Sequence, residues 1–122
     1  MLQRYGDLPV PTLSHPVKTI GSLRYLDTSG QKDVVLESQS TSIGRATNQD
    51  IVFVDPKVSR FHAVILRDGL TYSVIDQNST RGTYLNGQRV QRALLKHGDV
   101  LQFGSTTGAR LQFDAKIGRA HV

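Results

Sequence analysis

The chain has no cysteine among its 122 residues. A disulfide framework, a thiolate nucleophile and a cysteine-based metal site are therefore excluded, and stability has to come from packing in a setting compatible with a reducing cytoplasm. No apolar run approaches the ~18 residues that a membrane helix needs, and the N-terminus lacks the charged-then-apolar layout of a signal peptide. The expectation is a cytoplasmic segment with no membrane partner. Helical periodicity is missing as well: the single stretch with any claim to it, Arg89 to Lys96, is short and runs into the turn residues His97-Gly98-Asp99. Proline is scarce and unevenly placed, with Pro9, Pro11 and Pro16 crowding the start and only Pro56 beyond. Prolines so close together deny a helix or a central strand its backbone donors, so residues 1–20 read as a flexible leader. Acidic residues are also in deficit, ten Asp and Glu against fifteen Lys and Arg, for a net charge of +5. That balance favours an anionic partner, whether phosphorylated protein, nucleic acid or an acidic surface, and does not choose among them.

What is present fits a single all-β domain. The length suits one domain, and from Gly21 onward short β-prone runs alternate with Gly, Asn, Asp and Ser. The runs are Leu23 to Leu26, Val34 to Leu36, Ile51 to Val54, Ala63 to Leu66, Tyr72 to Ile75, Gly82 to Leu85, Val100 to Phe103 and Arg110 to Phe113. Short strands at such spacing signal a sandwich or barrel. Asp68-Gly69 and Asn86-Gly87 are hairpin signals, because a type I′ turn needs positive φ at both central residues. There is no internal repeat and no low-complexity tract. The final stretch Ile117-Gly118-Arg119-Ala120-His121-Val122 matches an in-frame translation of a common sequencing-adapter oligonucleotide. Residues 116–122 are accordingly expected to be a non-native tail, with the natural protein continuing beyond Ala115.

Three polar clusters fall between the strands, where a rigid sandwich projects loops from its ends. The first is Ser42-Ile43-Gly44-Arg45, closing a short strand: glycine permits a close backbone turn, and Arg45 offers a planar fork of donors to phosphate oxygens. Taken alone, Arg45 is better explained as a solvated surface arginine. The second is Asp55 to His62, in which the Ser59 hydroxyl and amide together with Arg60 have the donors to satisfy two or three oxygens of one phosphate. Ser59 and His62 invite a hydrolase reading, yet no base-orienting partner or nucleophile-elbow glycine pattern accompanies them, and His62 is better read as a buried strut for the loop. The third runs from Asn78 through Gly87; its plain explanation is turn chemistry, since Asn and Ser bond their own backbone and Gly supplies unusual φ.

In this order and spacing the clusters closely resemble the forkhead-associated (FHA) domain family, whose pattern is Gly-Arg, then Ser-x-x-His, then Asn-x-x-x-Gly-Thr-x-x-Asn-Gly. Here these elements stand as Gly44-Arg45, Ser59-Arg60-Phe61-His62 and Asn78 to Gly87, and the resemblance covers about Gly21 to Asp114 of a domain bounded at residues 21–115. It implies an eleven-stranded β-sandwich with its binding loops at one end. It also implies recognition of phosphothreonine in an extended segment of a partner protein, without catalysis, and hence a Ser/Thr kinase acting on that partner. By resemblance Arg45 and Ser59 are the main phosphate ligands, Arg60 an additional one, and Thr80 the residue that helps hold the phosphate and frame the threonine methyl. Gly44, His62, Asn78, Gly82, Asn86 and Gly87 match positions that shape the loops. Arg81 departs from the pattern, standing where many members have Asn. Whether it contacts the partner, favours acidic residues beside the phosphothreonine, or faces solvent stays open.

No cofactor is expected. Two other functions compete with phosphothreonine recognition. A nucleic-acid-binding β-domain would want aromatic residues interleaved with Lys and Arg on exposed strands, and Tyr25, Tyr72 and Tyr84 do not cluster that way. The other is an FHA fold that acts as a phosphate-independent scaffold or binds its own leader, with Thr12 or Thr19 as the phosphorylated residue.

Overall fold

A computed structural model describes residues 17–27 and 29–119. Thr12 and the remainder of the expected leader before Val17 lie outside those residues, as do residues 120–122 of the expected tail. The strands are β1 (Val17–Asp27), β2 (Gly30–Val35), β3 (Ser40–Gly44), β4 (Ile51–Val52), β5 (Ala63–Asp68), β6 (Thr71–Asp76), β7 (Thr83–Leu85), β8 (Gln88–Val90), β9 (Arg92–Leu94), β10 (Val100–Phe103) and β11 (Ala109–Arg119). They form a six-stranded sheet in the order β2-β1-β11-β10-β7-β8 and a five-stranded sheet in the order β4-β3-β5-β6-β9. The described pairs are antiparallel, apart from β3 with β4, which run parallel.

The period of two in the sequence explains which faces meet, because successive strand side chains point to opposite sides. Ile43 in β3, Ala63 and Ile65 in β5, and Tyr72 and Val74 in β6 are buried from one sheet; Leu23, Leu101, Phe103, Leu111 and Phe113 are buried from the other. Aromatic contacts knit the interior: Phe53 lies 5.7 Å from Phe103 and 5.5 Å from Tyr25, and Tyr72 lies 5.3 Å from Phe113. Each large apolar side chain so buried contributes about 1.5–3 kcal/mol, the main drive for the two sheets to close. The tyrosines are used internally. Tyr72 accepts the Gly21 amide at 3.1 Å, and the Tyr84 hydroxyl donates to the Arg81 carbonyl at 3.1 Å.

The structure differs from the sequence reading in three places. Val17 to Ile20 are the first residues of β1, paired with Arg119 to Lys116, so the leader as drawn included four strand residues and Thr19 sits in a ladder opposite Ile117. The prolines that marked the leader all precede that ladder. The second difference lies between Gln88 and Leu94, where two three-residue strands occupy a stretch in which the sequence showed no strand. The third is the β5–β6 turn. Asp68 pairs with Thr71, so Gly69 and Leu70 are the central residues. Positive φ falls on Gly69 (64°) and not on Leu70, the type II′ pattern rather than the type I′ turn expected of Asp68-Gly69. The second hairpin follows expectation, with Asn86 (φ 50°) and Gly87 (φ 88°) bridging Leu85 and Gln88.

Candidate functional site

β3, β6 and β10 deliver their C-terminal ends, and β7 its N-terminal end, to the same side of the sandwich, and backbone hydrogen bonds lock the loops together there. The Arg45 amide donates to the Ser59 carbonyl at 2.9 Å, the Ala46 amide to the Arg60 carbonyl at 3.1 Å, the Gln77 amide to the His62 carbonyl at 2.8 Å, and the Gly104 amide to the Gly82 carbonyl at 3.0 Å. The connections after β3, β4 and β6 thus meet as one surface, and they carry Arg45, Ser59, Arg60, Thr80 and Arg81.

Gly44 explains how the first two loops approach so closely. A Cβ at this position would stand 2.1 Å from the Arg60 carbonyl oxygen, a distance no side chain tolerates. Beyond it, Arg45 is exposed and its Nε donates to the Val58 carbonyl at 2.9 Å. That bond fixes the side chain along the β4–β5 loop and commits one of the five guanidinium donors, while no described residue hydrogen-bonds the terminal amino groups.

Ser59 is half-buried and held from two directions. Its amide donates to His62 Nδ1 at 3.0 Å, and its hydroxyl oxygen accepts the Thr80 amide at 3.0 Å. An Oγ that already accepts one bond still has its own hydrogen to donate outward. Arg60 and Thr80 are exposed beside it.

His62 is fully buried, edge-on to Phe103 at 5.4 Å. Because Nδ1 accepts from an amide, the proton of the neutral ring is on Nε2, which donates to the Gly82 carbonyl at 2.8 Å. Burial lowers the pKa of the ring below its ordinary value, a shift that the Gly82 carbonyl and the Asp76 carboxylate oppose. Both ring nitrogens are committed, and the contact with Ser59 is through the amide rather than the hydroxyl. The pair has no nucleophile–base geometry, and His62 is a strut between the second and third loops.

The third loop is organised by a residue that the sequence reading missed. The Asp76 carboxylate accepts the amide and hydroxyl of Ser79 and the hydroxyl of Thr83, and the Ser79 oxygen in turn accepts the Gly82 amide at 3.0 Å. Charge-assisted bonds of this kind are about twice as strong as neutral ones, so the turn carrying Thr80 and Arg81 is closed on a rigid base. Asn78 contributes through its backbone, adopting φ 55° with its side chain exposed. Gly82 has φ 95°, and the Arg89 side chain lies against it, where a Cβ would come within 2.5 Å of Nε. Asn86 staples the β7–β8 turn to β10: its Oδ1 accepts the Val100 amide at 2.9 Å and its Nδ2 donates to Asp99 at 3.0 Å. Gly87 completes that turn. Among the described residues no three His, Cys, Asp or Glu side chains gather as a metal site.

A two-sheet β-sandwich that gathers hydroxyl, amide and guanidinium donors on interlocked loops at one end is an anion-recognition module. The FHA domain family model matches residues 41–104, just over half of the chain, and the chain belongs to that family. It is 40% identical over 70 residues to the glycogen accumulation regulator GarA of Mycolicibacterium smegmatis, covering 57% of this chain and 44% of that one. It is 39% identical over 70 residues to the oxoglutarate dehydrogenase inhibitor of Corynebacterium jeikeium, covering 57% and 49%. The chain therefore spans about half the length of these curated relatives. A solved FHA domain from a study of phosphothreonine-dependent FHA interactions superposes with a TM-score of 0.69 at 33% identity, over 78% of this chain and 95% of that one.

Proposed function

We propose that this FHA domain binds a phosphothreonine-containing segment of a partner protein and performs no chemistry on it. The observation that carries the reading is the convergence of the three loops on Ser59. Its oxygen is fixed by the Thr80 amide, its amide by His62, and its flank by Arg45, whose Nε is anchored on Val58. Arg45, Ser59 and Arg60 serve as the phosphate ligands, Thr80 frames the phosphothreonine, and Arg81 borders it. A phosphate carries about −1.5 to −2 charges at neutral pH, whereas the unmodified hydroxyl offers these donors almost nothing, so phosphorylation acts as the switch. A Ser/Thr kinase must supply the ligand. Preference for threonine over serine rests on the extra methyl, worth ~1–3 kcal/mol in a fitted apolar slot. Ordering a short segment opposes binding and keeps the affinity moderate.

In this reading the module is a cytoplasmic adaptor, and any catalytic output belongs to its partner or to attached domains. The test is a phosphothreonine peptide library screened against the wild type and Arg45→Ala. Binders lost in a variant with unchanged circular dichroism support the assignment; undiminished binding overturns it.

A further inference from the structure

The six-stranded sheet splits between β1 and β11. Their pairing stops at Tyr25 opposite Leu111, although β1 continues along β2 to Asp27 and β11 continues along β10 to Ala109. A cleft of about 500 Å³ opens at the split, walled by Tyr25, Phe53, Ala109 and Leu111. A second basin of about 400 Å³ shares Leu26, Phe53 and Ala109 with the first and reaches Val54 and Asp55, just beyond the edge strand β4. The two basins together make one groove. None of Arg45, Ser59 and Thr80 lines it.

The groove is apolar where the basins join and carries opposite charges in its two parts. Phe53 is buried there, edge-on to Tyr25 at 5.5 Å, and burial raises the Tyr25 pKa above its ordinary value, with Asp27 adding to the shift. Leu26 and Val54, at 70% and 84%, are the two most exposed large apolar side chains among the described residues. Apolar surface left open in this way marks interaction sites. Arg24 and Arg110 line the first basin, and Asp27 and Asp55 the second. Arg110 enters none of the ion pairs found among the described residues, and Arg24 meets Asp33 at 3.1 Å in a solvent-exposed pair that a ligand can replace at little cost. Asp55 Oδ1 accepts the Lys57 amide at 2.9 Å, while Oδ2 lies toward Gly108 of the first basin, 3.1 Å from where a Cβ would stand.

We infer that this groove docks an unphosphorylated, extended segment of a partner protein, in which one large apolar side chain stands between an acidic and a basic residue. The apolar side chain covers Phe53 where the basins join. The acidic residue meets Arg24 and Arg110, and the basic residue meets Asp27 and Asp55, so charge order sets the direction of the segment. An extended chain places alternate residues on one face at ~3.3 Å per residue, which suits an anchor with one charge on either side. A small molecule would fill one basin; a polypeptide reaches both charges. The site goes beyond phosphothreonine recognition and does not depend on it.

The experiment follows the NMR amide signals of the whole chain during titration with a blocked, phosphate-free Glu-Ala-Phe-Ala-Lys peptide and its variants. The peptide is expected to shift the signals of Leu26, Val54 and Ala109 and to leave those of Ser59 and Thr80 in place. Replacing its Phe with Ala weakens binding about tenfold or more, the scale of one large buried apolar side chain, and Leu26→Asp/Val54→Asp does the same from the protein side. Arg110→Glu weakens binding of the original peptide about threefold, the scale of an exposed charge pair, and restores it for a peptide with Lys in place of Glu. No shift in the groove with any peptide overturns the inference. So does binding undiminished by loss of the Phe, or an Arg110→Glu variant that weakens every peptide alike. Without peptide, groove signals that change with protein concentration would make a second copy the occupant, and signals of residues 1–16 that move when Leu26 and Val54 are replaced would make it the leader. Either result overturns the inference.

Discussion

Ser59 and Thr80, 21 positions apart, are joined by a 3.0 Å hydrogen bond in which the Thr80 amide donates to the Ser59 hydroxyl oxygen. The bond ties the two loops of the candidate site and leaves the Ser59 O–H free to donate. Replacing Ser59 with Ala removes both the tie and an outward donor. Phosphopeptide affinity is expected to fall by about 1–3 kcal/mol, one charge-assisted bond, and hydrogen exchange at the Thr80 amide to quicken. Exchange that quickens while affinity is unchanged would show Ser59 to be a loop tie only.

The His62 ring predicts how stability responds to acid. Its folded pKa is lowered, chiefly by burial, whereas the unfolded chain titrates near 6.5. Between those two values the unfolded state binds more protons, so this group's stabilising contribution is complete above about pH 6.5 and is lost as pH falls through the folded value. Protonation would also put a hydrogen on Nδ1, facing the Ser59 amide, so phosphopeptide binding should weaken over the same window. Urea unfolding between pH 7.5 and 5 should show the slope in the wild type and a flatter one in His62→Gln. An equal slope in both would locate the effect in other groups. His62→Ala at neutral pH should cost about 2–4 kcal/mol, from a cavity and two lost bonds.

Much of this was legible in the sequence, and what was not has a common cause. Asn86-Gly87 carries its turn conformation in the identity of its own residues and could be read from local chemistry. Ser59, His62 and the Gly44-Arg45 pair are ambiguous one by one, and it is their resemblance to the FHA pattern that singles them out. Asp76 could not be read either way, because an aspartate at a strand end becomes a hub only once the chain turns Ser79 and Thr83 back onto it. Arg89 was hidden for a similar reason: its place against Gly82 is created by the β7–β8 register and by the missing side chain at that position. β8 and β9 are three residues each, too short to show a period. The start of β1 was masked by nearby prolines, although what decides it is pairing with β11, a distant partner.

Gly44 offers a test of loop geometry separate from ligand chemistry. A methyl group at position 44 would stand 2.1 Å from the Arg60 carbonyl oxygen, whereas one at Gly87 meets nothing within 4 Å and suffers only from φ 88°. Gly44→Ala must push the β3–β4 and β4–β5 loops apart, costing about 2 kcal/mol or more and displacing Arg45 from Ser59. Gly87→Ala should cost about 1 kcal/mol, with phosphopeptide affinity unchanged at a temperature where it stays folded. Equal effects of the two substitutions on affinity would mean that the close approach at Gly44 has no role in binding.

The far ends of β1 and β11 yield a prediction about what binding does not need. Phe103 pairs with Ala109 at the loop end, and β11 continues from there to Arg119, ten residues or about 33 Å at ~3.3 Å per residue. Lys116 to Arg119 pair with Val17 to Ile20, so these eight residues form a ladder remote from Arg45, Ser59 and Thr80. Ending the chain at Ala115 should leave phosphopeptide affinity within about twofold and lower stability by what these pairs provide, about 1–4 kcal/mol at 0.2–1 kcal/mol each. Sequencing the parent gene through this point tests the origin of the tail, and calorimetry on the shortened protein tests its irrelevance to binding. Loss of affinity on truncation would mean that the β1–β11 ladder supports the loop end through the length of the sheet.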